Sequence, residues 1–230
     1  MMRCLNVDQK NLHEQYSILG KEVASISKQE RQLMNEKVWH AISKEGIWHL
    51  PIDKKYGGKG LTWQDCVVAL DGFFSHYSDI EFLTLLMSHI SSLYLISQYG
   101  TSAIKKRYLP RLMQGETAQL LISQYLNKLF SEDAYFKKRE NQILSIKNNK
   151  IFIHAEKFKN NIEFYITEKT SYLISSTKNK SANSILNEGN KFIAKEVGVS
   201  ALCDLINFER LLYGLLSANH VRKLKQQNNI

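Results

Sequence analysis

The chain has 230 residues, enough for one large domain or two small ones, and its 43% hydrophobic and 23% charged composition is that of an ordinary globular protein. A formal charge of +9 favours anionic partners, but the lysines are dispersed and carry no aromatic-interleaved motif, so no nucleic-acid partner is expected. The most apolar stretch, Ile80 to Ile96, contains Glu81, His89 and several serines, which argues against a membrane span; three distant cysteines and seven histidines outside ligand spacing argue against a metal site and for reduced thiols in a cytoplasmic protein.

In chain order, Leu12, Tyr16, Leu19 and Val23 recur at helical spacing from Asp8 to about Ser25, interrupted by Gly20. Ser27 to Glu30 has the form of a capping box, and Met34, Val38, Ala41 and Ile42 continue a second helix to Gly46. The stretch from Gly46 to Leu61 is rich in glycine and holds Pro51. It lies between helical segments and reads as a rigid crossing, not a linker or a phosphate loop.

Thr62 to Asp65 is a second capping box, opening a helix with Val67, Leu70, Phe73 and Phe74 on one side. Asp79 is placed to cap the next helix, Ile80 to Tyr99, which is apolar nearly all round and belongs in the centre of a bundle. Thr101 caps a short helix that Pro110 is expected to break. Beyond Glu116 the pattern changes. Leu120 to Ile122, Gln142 to Phe152 and Glu163 to Ser175 read as strands, with a hairpin turn at Asn148 and Asn149. Lys178 to Glu188 reads as a loop. A helical pattern returns from about Asn190 and ends in a basic tail expected to fray.

His89, Tyr99-Gly100-Thr101, Lys106, Tyr108-Leu109-Pro110, Leu112 and Gly115-Glu116, preceded by the Gly46, Pro51 and Tyr56-Gly57-Gly58 loop, resemble the N-terminal helical domain of the flavin-dependent acyl-CoA dehydrogenases in both order and spacing. The resemblance implies an α+β fold: a helical domain over 1–118, a shortened β domain over 119–189, and over 190–230 a remnant of the first helix of a truncated C-terminal domain. It also implies FAD as cofactor and an acyl thioester of coenzyme A or of a carrier protein as substrate.

The family's flavin-binding Thr-Glu-Pro run corresponds to Ser123-Gln124-Tyr125, and its Gly-Ser-Asp falls on Lys128-Leu129-Phe130. Its Gly-x-Lys turn and flavin-stacking Trp correspond to Asn148-Asn149-Lys150 and Phe152. Ser123, Lys150 and Phe152 are therefore the candidate cofactor residues, with Tyr94 and Tyr99 as candidate acyl-cavity residues. No catalytic residue is assigned. Glu209, in the Glu-Arg pair of the last helix, reads as a packing position, and Glu188 and Glu196 are surrogates at most.

Two readings follow: an acyl-CoA dehydrogenase-like oxidoreductase with impaired or lost activity, and a non-catalytic thioester-binding or assembly module, or one half of a split dehydrogenase. Lys105, Lys106, Arg107 and Arg111 suit either a thioester carrier's phosphates or a solvated helix face. A truncated bundle would expose Leu211, Leu212, Leu215 and Leu216, so self-association or a heteromeric partner is expected.

Overall fold

A computed structural model of the chain describes residues 5–25, 31–122, 151–158, 161–167, 190–191 and 197–228. The elements are α1 (Val7–Ser25), α2 (Arg31–Lys44), two short 3-10 turns (Ile47–His49 and Lys54–Tyr56), α3 (Trp63–Phe74), α4 (Ile80–Tyr99), α5 (Ser102–Met113), β1 (Ala118–Ile122), β2 (Ile151–Phe158), β3 (Asn161–Thr167), β4 (Asn190–Lys191) and α6 (Gly198–Asn228). This is the expected α+β order of helices, then a small sheet, then a C-terminal helix. The chain divides into two compact units, one of residues 1–87, 113–115 and 207–230, the other of residues 88–112 and 116–206.

In the first unit α1 packs along α3. Gln9 Nε2 donates to Asp65 Oδ1 at 3.0 Å, His13 Nε2 faces Asp71 Oδ2 at 3.4 Å, and the Ser17 and Ser75 hydroxyls meet at 3.3 Å. The pairs climb both helices in the same order, so α1 and α3 run parallel. Gly20 does not interrupt α1; it is the reason the two helices approach so closely. A Cβ at Gly20 would collide with the Phe73 carbonyl, and one at Gly72 with the His13 carbonyl. Two glycines, each facing the backbone of the opposite helix, set the crossing, and Tyr16, Leu19, Val23, Phe73 and Phe74 fill it.

The capping box at α3 is formed as expected: Asp65 N donates to Thr62 Oγ1 at 3.1 Å and Thr62 N to Asp65 Oδ2 at 3.0 Å. Asp79 Oδ1 likewise accepts from Phe82 N at 3.0 Å at the start of α4. The box expected at Ser27 to Glu30 lies outside the described residues.

The Gly46 to Leu61 crossing is tied by its own backbone. Gly46 sits in the left-handed region at φ 74 and ends the turn after α2. Lys59 N then donates to His49 O at 2.7 Å, Gly60 N to Ile52 O at 2.8 Å and Leu61 N to Leu50 O at 2.8 Å. Ile47, Trp48, Leu50 and Ile52 are buried beneath it. The loop is a scaffold, with its polar groups spent on itself.

The second unit contains the four-stranded sheet, in the order β1-β2-β3-β4. β1 and β2 pair in parallel from Ala118 opposite Ile151 to Ile122 opposite Ala155, and β2 and β3 form an antiparallel hairpin with Phe158 opposite Asn161. The hairpin expected around Asn148 and Asn149 lies outside the described residues.

Three local expectations are corrected. Pro110 does not break α5, which continues to Met113; one missing N–H near a helix end is outweighed by the burial of Tyr108, Leu109, Leu112 and Met113. Asn190 and Lys191 are not helical but pair with Ile166 and Tyr165 as β4, and α6 starts at Gly198. The basic tail continues α6 to Asn228 instead of fraying.

The leucine face of α6 differs as well. Leu212 and Leu215 are buried, Leu216 is half-buried and Leu211 is exposed at 51%, because the helical period turns one side of the run inward. Among the described residues no helix is long and apolar enough to cross a membrane.

Candidate functional site

The passage from α4 through α5 into β1 carries most of the diagnostic residues, and the structure gives each a local task. In the middle of the mostly apolar α4 lies a short polar run, Ser88-His89 and Ser91-Ser92, and the first pair is aimed at the sheet. Among the described residues β1 is the edge strand, with β2 on one side and no strand pairing its other row of N–H groups. Ala118 N donates to His89 Nδ1 at 3.2 Å, and Leu120 N, next on the same edge, donates to Ser88 Oγ at 2.9 Å. Two side chains of α4 therefore close the sheet edge.

His89 is completely buried, and burial lowers its pKa from 6.5 to about 3, opposed in part by a backbone hydrogen bond with Leu112. The imidazole is neutral. With Nδ1 accepting from Ala118, the ring proton is assigned to Nε2.

Gly115-Glu116 forms the second fixture. Within the second unit the Glu116 carboxylate takes Arg111 in a fork, Nε to Oε2 at 2.7 Å and Nη2 to Oε1 at 2.6 Å, and Glu116 N donates back to Arg111 O at 3.1 Å. The Arg111 guanidinium also lies 5.4 Å from the Tyr108 ring centre, with Arg107 at 5.3 Å. Arg111 is thus engaged in fold-making contacts. In the first unit Gly115, at φ 93, offers its carbonyl to Trp39 Nε1 at 2.6 Å.

The candidate acyl-cavity residues lie on the last turns of α4. Tyr99 donates its hydroxyl to Asp204 Oδ2, and its pKa is pushed up to about 12 by partial burial, that bond and the Asp204 charge. Tyr94 is half-buried, and its pKa rises through burial and then the same carboxylate. Asp204 thus links Tyr99 to α6, and its charge also reaches Tyr94. No sequence pattern singles it out, since its partners are more than a hundred residues away.

Of the candidate cofactor residues, Phe152 is on β2 opposite Gln119 of β1. Ser123 and Lys150 lie outside the described residues, as do Glu188 and Glu196. Glu209 is buried at 1% exposure, in keeping with a packing position.

Two buried hydroxyls, one on α4 and one directly before β1, are absent from the sequence expectations. Ser91 Oγ and Thr117 Oγ1 are buried and have no hydrogen-bond partner among the described residues. The only trace of Ser91 in the sequence is the run of serines in α4, and Thr117 leaves none. Among the described residues no group of three or more His, Cys, Asp and Glu side chains is placed to hold a metal.

The sequence signature described as acyl-CoA dehydrogenase, N-terminal domain, matches residues 15–116. Among solved structures, the chain resembles the prolyl acyl carrier protein oxidase AnaB at 17% identity and a TM-score of 0.70, over 97% of this chain and 68% of that one. It resembles the apo-form of PigA at 15% identity and a TM-score of 0.64, over 97% and 67%. Butyryl-CoA dehydrogenase from Megasphaera elsdenii follows at 16% and 0.63, over 94% and 66%. The chain thus spans about two thirds of each. At these identities the likeness establishes the fold. No curated protein matches the chain by sequence.

Proposed function

With residues 15–116 belonging to the acyl-CoA dehydrogenase family as its N-terminal domain, we propose that the chain is an acyl-CoA dehydrogenase-like protein that holds FAD and an acyl thioester and carries the family's α,β-oxidation in impaired form. The observation that carries this reading is the closed edge of β1. His89 and Ser88 pin Ala118 and Leu120, so the strand pair bearing Gln119 and Phe152 is held rigidly where the resemblance puts a flavin wall. The solved relatives support FAD as the cofactor, since PigA has been obtained as an FAD complex.

The residues present fit a flavin in part. Ser123 keeps a hydroxyl where the family has threonine, Phe152 keeps an aromatic ring where it has tryptophan, and Lys150 keeps the basic position. The orphaned Thr117 and Ser91 hydroxyls are polar groups that a bound ligand would satisfy. Lys128-Leu129 replaces the small Gly-Ser pair that lets a backbone approach phosphate, which weakens the pyrophosphate end.

When bound, FAD supplies the hydride acceptor for oxidation of the thioester. The task of this chain's residues is to position it: Phe152 and Ser123 at the ring, Lys150 beside them, Tyr94 and Tyr99 toward the acyl chain. The family reaction also needs a carboxylate base held against the α carbon, and misplacement by about an ångström costs about a hundredfold in rate. No residue of this chain is assigned that role.

A second reading, a non-catalytic thioester-binding or assembly module or one half of a split dehydrogenase, is favoured by the Lys128-Leu129-Phe130 departure. A dye-reduction assay with acyl-CoA and acyl-carrier thioesters in excess FAD separates the two. The impaired enzyme gives slow, thioester-dependent reduction. Thioester binding without reduction supports the module, and neither binding nor reduction contradicts both readings. A homo-oligomer or heteromeric partner is part of the proposal.

A further inference from the structure

In the first unit, a buried carboxylate sits where three helices meet. Asp71 of α3 is 5% exposed. Its Oδ1 accepts from Asn219 Nδ2 at 2.8 Å and from Arg222 Nη1 at 3.2 Å, both on α6, while Oδ2 faces His13 Nε2 of α1 at 3.4 Å. Asn219, 3% exposed, is itself saturated: its amide also donates to Leu215 O at 3.2 Å, and its Oδ1 accepts from Arg222 at 3.2 Å. Every polar atom of the Asp71 and Asn219 side chains is engaged. None of these residues belongs to the candidate flavin or acyl positions.

The buried face of α6 explains why a polar contact is needed here. Phe208, Leu212 and Leu215 form an apolar seam at helical spacing, with the Phe208 ring edge-on to Trp63 at 5.2 Å; Asn219 continues this seam as a polar residue, and Glu209, beside Phe208, is a second buried polar group of the helix. The pairs Phe208–Trp63 and Asn219–Asp71 run in the same order along the two helices, so this part of α6 lies parallel to α3. An apolar seam alone tolerates sliding by one turn. A slip of four residues would set Leu215 against the carboxylate and strip it of two partners, an expensive state for a buried charge. Beyond Asn219, Val221 and Leu224 are exposed at 49% and 45%, so apolar burial contributes little to the final turns.

We propose that Asp71, Asn219 and Arg222 form a register clasp, which locks the last turns of α6 to α1 and α3 and whose opening frees those turns as a strap while the helical unit stays folded. The charge of Asp71 is the pin, and the α6 side chains are the catch.

Hydrogen exchange read by mass spectrometry on the full chain tests this directly, comparing peptides from 216–228 with those from α1 and α3. In Asp71→Asn, exchange in 216–228 rises about tenfold or more, while α1 and α3 stay within about twofold. The swap Asp71→Asn with Asn219→Asp restores slow exchange, because the amide then donates to the carboxylate and Arg222 still pairs with it. Four results would overturn the clasp: unchanged exchange in 216–228, equal acceleration of α1 and α3, failure of Asp71→Asn to fold, or no recovery in the swap.

Discussion

His89 stabilises the second unit in its uncharged form, and this gives a pH dependence whose sign is fixed. Its pKa is depressed on folding, from 6.5 to about 3, mainly by burial. The stabilisation is complete above the unfolded value and is lost as pH falls from 6.5 toward 3, at about 1.4 kcal/mol per unit inside that window. Unfolding midpoints in denaturant measured from pH 7 to pH 4 are expected to fall, and His89→Gln, which retains an acceptor for Ala118 but does not titrate, is expected to remove one proton's worth of that slope. An unchanged slope would mean that His89 does not carry the effect. Arg111 and Glu116 make a second prediction at this scale. Glu116→Gln removes the charge from a forked pair and should cost about 1 to 3 kcal/mol in chemical denaturation; a loss below about 0.5 kcal/mol would show the fork to be a solvated surface pair.

At the scale of elements, glycine positions divide cleanly by what surrounds them. Gly72 faces the His13 carbonyl across the α1 and α3 crossing, so Gly72→Ala must push the helices apart, and a loss of about 1 to 3 kcal/mol is expected in thermal or denaturant unfolding. Gly214 in the middle of α6 borders open space, with nothing within 4 Å of the point a Cβ would occupy, and Gly214→Ala should gain about 0.5 to 1 kcal/mol from helix propensity. A stable Gly72→Ala chain would contradict the close crossing. The helices and their caps are legible in the sequence because their signals are local: Thr62 and Asp65 are three residues apart, and Asp79 directly precedes its helix. Gly20 looks like an interruption in the sequence because its purpose is the Phe73 backbone, which no local pattern reveals. Pro110 misleads for the same reason, since burial of its neighbours outweighs one lost hydrogen bond. β4 is two residues long and exists through pairing with β3, too short to leave a periodic trace.

For the whole molecule, the order of helices, sheet and final helix can be read from the sequence because the motifs from Gly46 to Glu116 keep their spacing. The candidate site is legible only in part. His89 and Gly115-Glu116 stand out as motif residues, but their work is to brace the fold: one closes the edge of β1, the other grips Arg111. Asp204 and Asp71 leave no such mark, because each gains its meaning from partners on distant helices. Exposed Leu211, Val221 and Leu224 favour association, and light scattering is expected to give a mass above 26.6 kDa; a strict monomer at that mass would count against a partner of its own kind.

The enzyme reading proposed for this chain turns on a flavin being held beside the β1 and β2 pair. The visible absorbance spectrum of the purified chain, taken before and after excess FAD is added and the free cofactor removed, tests this most directly. A retained flavin band that weakens in Phe152→Ala is the predicted result. A folded chain, by circular dichroism, that keeps no flavin would contradict the claim and leave the dehydrogenase resemblance as ancestry.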